Sequence, residues 1–485
     1  MGPWIDGQEI IGHGRPLPVI SPSTARTIAT VSTPDSDEMN DACARAFEAH
    51  DDRRWRRLPV LERQRILMAV AAQLRQDDKG WAHRIAQEMG MPEGAARFIE
   101  VPYAAQVFEY FAGTIPNIHG DTLPIDVPGA PPDYLVFTVK EPVGVAGLIT
   151  PWNFPLLLPA WKLAQALAAG CTAVLKPAPE SPLTALALGP LLKDAGVPDG
   201  VVNIVPGGDE IGAALVVHPK VAKIAVTGET ETGRKVIQAA AYDIKRVSAE
   251  LGGKSAMLIF EDCDMDQALS QSLFGAYFNA GQVCQATSRL LVQSSIYEPF
   301  IARLADRLAS LRVGPATDPQ YDLGPLIRKD HLQRLDQWVH QAVLEGARLI
   351  TGGHSLNGPG FYYAPTVLAD VRPDMAIAHT ELFGPVATVT PFDTEDDAIR
   401  LANHSSYGLA AAVMTRDGSR ALRIGRQVSV GTVWINTVQI LTPTAPFGGV
   451  KHSGIGRELG LAGLEEYLET KTMIIDLNDQ PMTYF

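Results

Sequence analysis

The sequence predicts an α/β fold in which a doubly wound sheet is followed by a second α/β set. Short apolar and β-branched runs alternate with longer segments of helical periodicity, the pattern of parallel strands joined by crossover helices. A length of 485 residues exceeds what one core usually serves, so we expect two or three domains. No internal repeat or low-complexity tract interrupts the alternation.

The alternation is clearest between residues 143 and 250. The predicted strands are 143–149, 171–175, 201–205, 221–226 and 246–249. The predicted helices between them are 156–169, 181–195, 210–217 and 232–241, after two earlier helical segments at 59–77 and 81–112. The Pro- and Gly-rich residues 114–133 predict an extended excursion from the main body, and the second α/β set begins near Ser255.

Composition and charge exclude several classes of protein. The 41 basic and 54 acidic residues give a net charge of −13, which argues against nucleic-acid and membrane partners. The amino terminus shows no signal peptide, and the apolar stretch 156–175 contains charged and helix-breaking residues, so it predicts a buried helix. Four widely spaced cysteines without a C-x-x-C pair predict no disulfide framework, no metal site and a reducing cytoplasm.

Two segments carry residues suited to covalent catalysis. Cys284 lies among small and polar residues in the segment 278–289 and not on an apolar helix face. Glu250 stands 34 residues earlier, directly before a Leu-Gly-Gly sequence. A thiol and a carboxylate on separate segments predict a nucleophile with a separate general base. Buried, inert thiols are expected at the three other cysteines, Cys43, Cys171 and Cys263.

A glycine-rich turn joins the predicted strand 221–226 to the predicted helix 232–241. Its sequence, Thr-Gly-Glu-Thr-Glu-Thr-Gly at 227–233, leaves backbone N–H groups free to face a phosphate. The turn lacks the Lys-Ser/Thr pair of a P-loop and the G-x-G-x-x-G spacing of common dinucleotide folds. It therefore predicts either an ordinary turn or a variant nucleotide site.

Seven motifs together resemble the aldehyde dehydrogenase superfamily over most of the chain. They are Pro151-Trp-Asn-Phe-Pro155, Lys176-Pro-Ala178, the turn 227–233, Glu250-Leu-Gly-Gly-Lys254, Gly281-Gln-Val-Cys284, Glu381-Leu-Phe-Gly-Pro385, and Pro446-Phe-Gly-Gly-Val-Lys451 with Ser453-Gly454. The resemblance implies a variant Rossmann-like nucleotide-binding domain, an α/β catalytic domain, and a small β element for bridging and oligomerisation. These are expected at 1–118 with 142–251, at 252–452, and at 119–141 with 453–485.

The resemblance also implies the reaction, the NAD(P)-dependent oxidation of an aldehyde to its acid. Cys284 is expected to attack the carbonyl carbon and hold the acyl group as a thioester, and Glu250 to activate the water that releases it. A free thiol has a pKa of about 8.5, so the site must help to ionise it. Asn153 and the backbone N–H of Cys284 are expected to stabilise the oxyanion. Lys162 matches a lysine linked to the general base by a proton path; a helix lysine that reaches solvent is the alternative.

NAD is the cofactor that the resemblance implies. The residues expected to contact it are Ile149, Trp152, Lys176, Gly228, Glu229, Gly233, Leu251, Glu381 and Phe383. Lys176 is expected at the adenosine ribose and Glu381 at the nicotinamide ribose. Pro179 stands where many NAD-preferring members have a ribose-binding glutamate, so NADP is possible as well. Glu229 replaces a serine near the pyrophosphate, and its side chain is expected to face solvent or Arg234.

The expected substrate tunnel is mainly apolar and aromatic. Its residues are Phe154, Leu158, Trp161, Val283, Gln285, Leu441 and Phe447. This lining favours an aromatic or medium-chain aliphatic aldehyde, and it offers no arginine to a carboxylate-bearing substrate. A cationic aminoaldehyde such as betaine aldehyde is the alternative, because Trp161 offers a cation–π face.

The β-branched residues of 466–475 predict an edge strand that pairs between subunits, so a homodimer or homotetramer is expected. Two other functional classes stay open: a catalytically silent, structural member of the family, and a thiolase-like or acyl-transferring enzyme. The joint presence of Cys284, Glu250 and Asn153 argues against the first, and the nucleotide motifs argue against the second. The last eight residues, 478–485, match no part of the family pattern.

Overall fold

The computed structural model describes residues 1–126 and 133–479. The strands of these residues are Trp4–Ile5 (β1), Gln8–Glu9 (β2), Leu17–Ser21 (β3), Arg26–Val31 (β4), Thr122–Leu123 (β5), Tyr134–Pro142 (β6), Val145–Ile149 (β7), Thr172–Lys176 (β8), Val202–Ile204 (β9), Val221–Thr227 (β10), Arg246–Glu250 (β11), Ala256–Ile259 (β12), Arg289–Gln293 (β13), Arg348–Thr351 (β14), Thr366–Ala369 (β15), Val386–Phe392 (β16), Tyr407–Gly408 (β17), Ala410–Met414 (β18), Thr432–Ile435 (β19), Val450–Lys451 (β20), Gly454–Ile455 (β21) and Leu468–Asp476 (β22).

The helices are Ser36–Asp51 (α1), Val60–Gln76 (α2), Asp78–Glu88 (α3), Glu93–Ala95 (α4), Val101–Thr114 (α5), Leu157–Ala169 (α6), Pro182–Ala195 (α7), Asp209–Val217 (α8), Thr230–Ala241 (α9), Met265–Tyr277 (α10), Tyr297–Ala309 (α11), Lys329–Leu344 (α12), Glu395–Asn403 (α13), Gly418–Gln427 (α14) and Gly460–Glu465 (α15). A π-helical segment, Ala96–Glu100, joins α4 to α5. Within residues 1–126 and 133–479, no helix is both long and apolar enough to cross a membrane.

The first sheet has the strand order β2-β1-β9-β8-β7-β10-β11-β21. Strands β7 to β11 run parallel, and β1 and β21 pair antiparallel with β9 and β11. The chain moves outward from β7 through β8 and β9, then returns to the other side of β7 for β10 and β11. Ligands of doubly wound sheets bind at such a reversal, beside the carboxyl ends of the strands.

The second sheet has the order β14-β15-β16-β13-β12-β18-β19 and is parallel except for β14. A third, antiparallel sheet has the order β22-β6-β5, with β22 paired to β6 along its whole length. Two small two-stranded sheets, β3–β4 and β17–β20, complete the arrangement. The α/β fold class with a Rossmann-like sheet and a second parallel sheet is therefore confirmed.

Local sequence explains where the helices of the first sheet end. Helices α6 and α7 each stop at a left-handed glycine, Gly170 with φ 94° and Gly196 with φ 105°, which a side chain would strain. Helix α6 is buried at every residue because β7 and β8 cover one side and α5 covers another. The expectation of a buried helix in this stretch is confirmed.

The predicted strands and helices between residues 143 and 250 are confirmed, with ends that move by no more than two residues. The single helix predicted at 81–112 is wrong, because Gly90 in the left-handed region and Pro92 separate α3 from α4. Part of the predicted excursion at 114–133 forms β5, and residues 127–132 lie outside the described residues. The proposed domain boundaries stay a prediction.

Candidate active site

The predicted nucleophile and base lie where the edges of the first two sheets meet. Glu250 ends β11 at the carboxyl edge of the first sheet, whereas Cys284 and Glu381 precede β13 and β16 at the amino edge of the second. The backbone N–H of Gly253 donates a 2.9 Å hydrogen bond to Oε1 of Glu381. The Asn153 side-chain amide donates at 3.0 Å to the carbonyl two residues before Cys284. These bonds connect the two edges.

A strained turn holds the loop that carries Cys284. Asn279 and Ala280 have φ of 52° and 53°, and Gly281 follows with φ 71°. The Gln282 side chain fixes the next residues, since its Nε2 donates to a carbonyl at 3.2 Å and its Oε1 accepts the N–H of Ile327 at 2.9 Å. Backbone strain of this kind persists only where the surroundings impose it, and it is typical of functional sites.

The surroundings of Cys284 keep its thiol protonated in the free protein. The side chain is half-buried against the apolar core of the first sheet. Burial and the nearby carboxylates of Glu381 and Glu250 raise the pKa of the thiol to about 12. Within residues 1–126 and 133–479, the backbone N–H groups of Cys284 and Gln285 lower this pKa, but no cation does, so a base has to remove the proton. Cys43 and Cys171 are buried as expected, but Cys263 is half-buried.

Glu250 is a buried carboxylate that forms no ion pair within the described residues. It is 4% exposed, and no described side chain donates a hydrogen bond to its oxygens. Burial and the negative charge of Glu458 raise its pKa well above the usual value, while Lys162, Arg457 and the backbone N–H of Gly449 lower it. A buried carboxylate with a perturbed pKa is typical of a general base.

Lys162 forms an ion pair with Glu458, and both side chains are buried. The alternative of a lysine that reaches solvent is therefore wrong. The lysine bonds to Glu458 and not to Glu250, and the charges of both Lys162 and Glu458 influence the pKa of Glu250. Glu458 was not predicted, because a single glutamate in a glycine-rich segment carries no periodic or spacing pattern.

Gly252 and Gly253 allow three functional segments to approach one another. A Cβ on Gly252 would lie 2.1 Å from Oε2 of Glu381, and a Cβ on Gly253 would lie 2.4 Å from the carbonyl oxygen of Cys284. Either methyl would force the neighbouring group to move. Burial raises the pKa of Glu381 to about 7, while the Gly253 N–H and Lys254 lower it.

Several of the residues predicted to bind a nucleotide lie at the carboxyl ends of first-sheet strands. Ile149 ends β7, Lys176 ends β8 and Gly228 follows β10, on both sides of the reversal. Lys176 is 6% exposed, and no described residue forms a hydrogen bond or an ion pair with its ammonium. Glu229 precedes α9 without capping it, so the first-turn N–H groups remain open to an anion.

The other predicted nucleotide contacts surround the same edge. The Glu229 side chain faces solvent, while Arg234 pairs with Glu231. A Cβ on Gly233 would lie 2.4 Å from Leu251, so only a glycine allows α9 to pack so closely. Trp152 and Phe383 pack edge to face with ring centres 5.3 Å apart, and Phe383 is left-handed with φ 54°. These two rings bridge the first and second sheets.

The predicted tunnel residues gather around one apolar cluster beside Cys284. Leu158, Trp161 and Phe447 are buried in it, and Phe154 and Leu441 are partly buried against it. Val283 and Gln285 are buried on either side of Cys284 in the chain. Two aromatic neighbours were missed by the sequence analysis: Tyr103 lies 6.1 Å from Trp161, and Phe278 lies 6.4 Å from Phe154, between ring centres.

Comparison with known proteins agrees with this arrangement. The sequence model of the aldehyde dehydrogenase family matches residues 9–473. Human retinal dehydrogenase 2 is 43% identical over 467 residues, which cover 96% of this chain and 89% of that protein. The mitochondrial benzaldehyde dehydrogenase of Antirrhinum majus is 40% identical over 98% of this chain and 89% of its own length.

Solved structures give the same result at the level of the fold. Betaine aldehyde dehydrogenase from Staphylococcus aureus, in complex with NAD+, superposes with a TM-score of 0.96 at 36% identity, covering 100% of this chain and 96% of that one. The NAD+ complex of an aldehyde dehydrogenase from Bacillus cereus gives 0.96 at 37% identity, covering 98% and 96%. The chain therefore belongs to the aldehyde dehydrogenase family of oxidoreductases.

Proposed function

We propose that the protein oxidises an aldehyde to the carboxylic acid with NAD, through an acyl group held on Cys284. One observation carries the proposal: the buried carboxylate of Glu250 lies close enough to the Cys284 thiol to raise the pKa of the thiol. A nucleophile and a base brought to the same sheet junction suit covalent acyl chemistry. The homologous enzymes named above all act, by name, on aldehydes or retinal.

The first step is attack on the carbonyl carbon. Glu250 accepts the thiol proton, since its raised pKa makes it a stronger base than an exposed glutamate. The sulfur then forms the bond to the carbonyl carbon, and the oxygen becomes an oxyanion. The Asn153 amide nitrogen donates one hydrogen bond to a backbone carbonyl. Its second hydrogen is available to the oxyanion, together with the backbone N–H of Cys284.

The residues present fit NAD. Lys176 is a buried ammonium without a protein partner, the first turn of α9 is uncapped, and both lie at the reversal of strand order. Lys176 would hold the adenosine ribose, the turn at Gly228 the pyrophosphate, and Glu381 the nicotinamide ribose. When bound, NAD would supply the hydride acceptor that turns the tetrahedral adduct into a thioester.

Hydrolysis of the thioester needs a water molecule that is deprotonated at the acyl carbon. Glu250 can take this second proton once it has released the first. The Lys162–Glu458 pair would tune that step, because the charge of Glu458 raises the pKa of Glu250 and the charge of Lys162 lowers it. The first proton passes to solvent, and the proton taken from water returns to the Cys284 thiolate. The net products would be the free acid, the reduced nicotinamide and one proton, with the Cys284 thiol restored.

An aromatic or medium-chain aliphatic aldehyde is the substrate that the tunnel favours. None of its seven predicted lining residues ionises, and the ring of Phe447 packs 5.5 Å from Trp161. Such a lining binds an apolar body through burial. A betaine-like aminoaldehyde is the second candidate, because a relative of the same fold carries that name and Trp161 offers an aromatic face.

A kinetic panel tests the proposal. NADH formation is followed with benzaldehyde, hexanal and betaine aldehyde, in the wild type and in Cys284→Ala. The proposal predicts turnover with kcat/KM highest for benzaldehyde or hexanal, and none in the variant. If kcat/KM is highest for betaine aldehyde, the second candidate becomes the proposed substrate in place of the aromatic or aliphatic aldehyde. No turnover with any aldehyde, or full turnover without the thiol, would overturn the proposed reaction.

A further inference from the structure

We propose that Asp209 and Glu210, the first two residues of α8, make the adenosine site selective for NAD by repelling the 2′-phosphate of NADP. They would thus perform the task of the glutamate that Pro179 replaces. The inference rests on the proposed function only in placing the adenosine ribose at Lys176. It assigns a specificity-determining role to residues outside the seven motifs.

Lys176 lies against the first turns of α8. Its Cε is 3.8 Å from the position that a Cβ on Gly212 would take, so the lysine stem passes close to the helix backbone. The side chain is 6% exposed, and no protein group within the described residues bonds to its ammonium. Burying an ammonium without a partner is costly, which points to a ligand that supplies the missing acceptors.

The carboxylate of Glu210 folds back toward the turn that follows β9. A Cβ on Gly208 would lie 2.6 Å and 3.0 Å from its two oxygens, so the side chain lies over that glycine and does not extend away from the sheet. Asp209 shares this helix end. Burial lowers the pKa of Lys176, and Glu180, followed by Asp209 and Glu210, opposes that effect. Their charges therefore act where the lysine ammonium lies.

Glu180 is not available for this role. It forms an ion pair with Arg328, the residue directly before α12 in the second α/β set. The charges near the ribose position are then one ammonium from Lys176, a neutralised Glu180–Arg328 pair, and two carboxylates. One positive and two negative charges leave this position with a net charge of −1.

This sum separates the two cofactors. A ribose 2′-hydroxyl is neutral and can donate a hydrogen bond to a carboxylate, whereas a phosphate carries a charge of about −1.5 to −2 and has only acceptor oxygens to offer. Like charges at short range oppose binding, and selectivity between similar ligands often depends on such a repulsion. The net negative charge would repel the 2′-phosphate of NADP, whereas it would not repel the neutral 2′-hydroxyl of NAD.

Binding to the full-length protein, without aldehyde, tests the inference. Dissociation constants for NADH and NADPH are measured by fluorescence, and those for 5′-AMP and 2′,5′-ADP by calorimetry. We expect the wild type to bind NADH at least about tenfold more tightly than NADPH. In the Asp209→Asn/Glu210→Gln variant, the dissociation constant of NADPH divided by that of NADH should fall by about fivefold or more, because NADPH binds more tightly. The dissociation constant of 2′,5′-ADP divided by that of 5′-AMP should fall in the same way.

Asp396→Asn is the matched control, since Asp396 is an exposed first-turn acid of α13 in the other α/β set. It should leave both ratios unchanged, and thermal unfolding of each variant verifies folding. An unchanged ratio in the double variant, or equal NADH and NADPH affinity in the wild type, would overturn the inference. Failure of the proposed function looks different: aldehyde oxidation is absent while the nucleotide ratios still respond to the substitutions.

Discussion

Lys162 and Glu458 form an ion pair whose side chains are 0% and 2% exposed, and the charges of both act on the buried carboxylate of Glu250. Burying two charges is unfavourable unless they neutralise each other, so neither partner can be removed alone without cost. Their effects on the pKa of Glu250 are opposite, because Glu458 raises it and Lys162 lowers it. The pair therefore links the stability of this region to the strength of the base.

Glu458→Gln should shift the pH dependence of catalysis. Glu458 raises the pKa of Glu250, so removing its charge lowers that pKa, and the base stays ionised to lower pH. The acid limb of the kcat–pH profile should move downward, and the free energy of unfolding should fall by about 3–5 kcal/mol. Lys162→Met/Glu458→Leu, which removes both charges, should recover much of the stability. An unmoved acid limb would contradict the assigned coupling.

Gly252→Ala should impair cofactor use more than folding. The added methyl would lie 2.1 Å from Oε2 of Glu381 and push that carboxylate away from its place beside Gly253. We expect kcat/KM for NAD to fall by roughly tenfold or more, as for the loss of one well-placed polar contact. Gly113→Ala is the control, because its Cβ meets nothing within 4 Å in α5 and should leave the kinetics unchanged. Equal kinetics in both variants would contradict the role of Gly252.

Glu100 should make stability depend on pH. Its side chain is fully buried and accepts the N–H groups of Leu156 and Leu157 at 2.9 Å and 3.1 Å, and burial raises its pKa to about 8. The raised value means that its protonated form favours folding, an effect present below pH 4.5 and lost between pH 4.5 and 8.

Urea unfolding of Glu100→Gln from pH 5 to 8 checks this. The free energy of unfolding of the variant, relative to that of the wild type, should increase as pH rises, by at most about 1.4 kcal/mol per pH unit. Glu100→Ala should have a lower free energy of unfolding than Glu100→Gln at every pH, because the alanine leaves two buried N–H groups without an acceptor. A constant difference between wild type and the Gln variant would contradict the pKa shift.

The edge strand β22 should mediate subunit contact. Among the strands of the described residues it pairs with β6 alone, and it carries exposed apolar residues such as Ile474, which is 62% exposed. Ile474→Glu should lower the oligomeric state measured by analytical ultracentrifugation. Ile244→Glu, at a more exposed isoleucine outside β22, should not. An unchanged mass distribution in the first variant would contradict this interface.

Helices and strands were predicted well from the sequence where the local periodicity was strong. Site residues were predicted where they belonged to recognisable motifs. The helices around β7 to β11 are confirmed because apolar spacing and terminal glycines such as Gly170 act locally. The role of Gly252 and Gly253 could not be predicted, because it depends on Glu381, which is more than 120 residues away in the chain. Spatial contacts of this kind leave no trace in local spacing.

Isolated acids with partners in distant segments were the other gap. The buried Glu458 and Glu100 and the half-buried Glu180, which pairs with Arg328, were not assigned, because a glutamate in a sequence usually predicts an exposed side chain. In each case another segment supplies a cation or backbone N–H groups. The expectation for the Cys284 thiol also lacked this information, since both carboxylates that raise its pKa come from other segments of the chain.

The central claim is that Cys284 carries the acyl group until Glu250 activates water. In Glu250→Gln the first step loses its base, but loss of the carboxylate charge also lowers the pKa of the Cys284 thiol, so acylation should slow while hydrolysis stops and the acyl group accumulates. The variant is mixed with NAD and benzaldehyde, quenched in acid and analysed by intact-protein and peptide mass spectrometry. The account predicts a benzoyl group on Cys284, absent from Cys284→Ala/Glu250→Gln. Benzoate release at the wild-type rate without any adduct on Cys284 would contradict it.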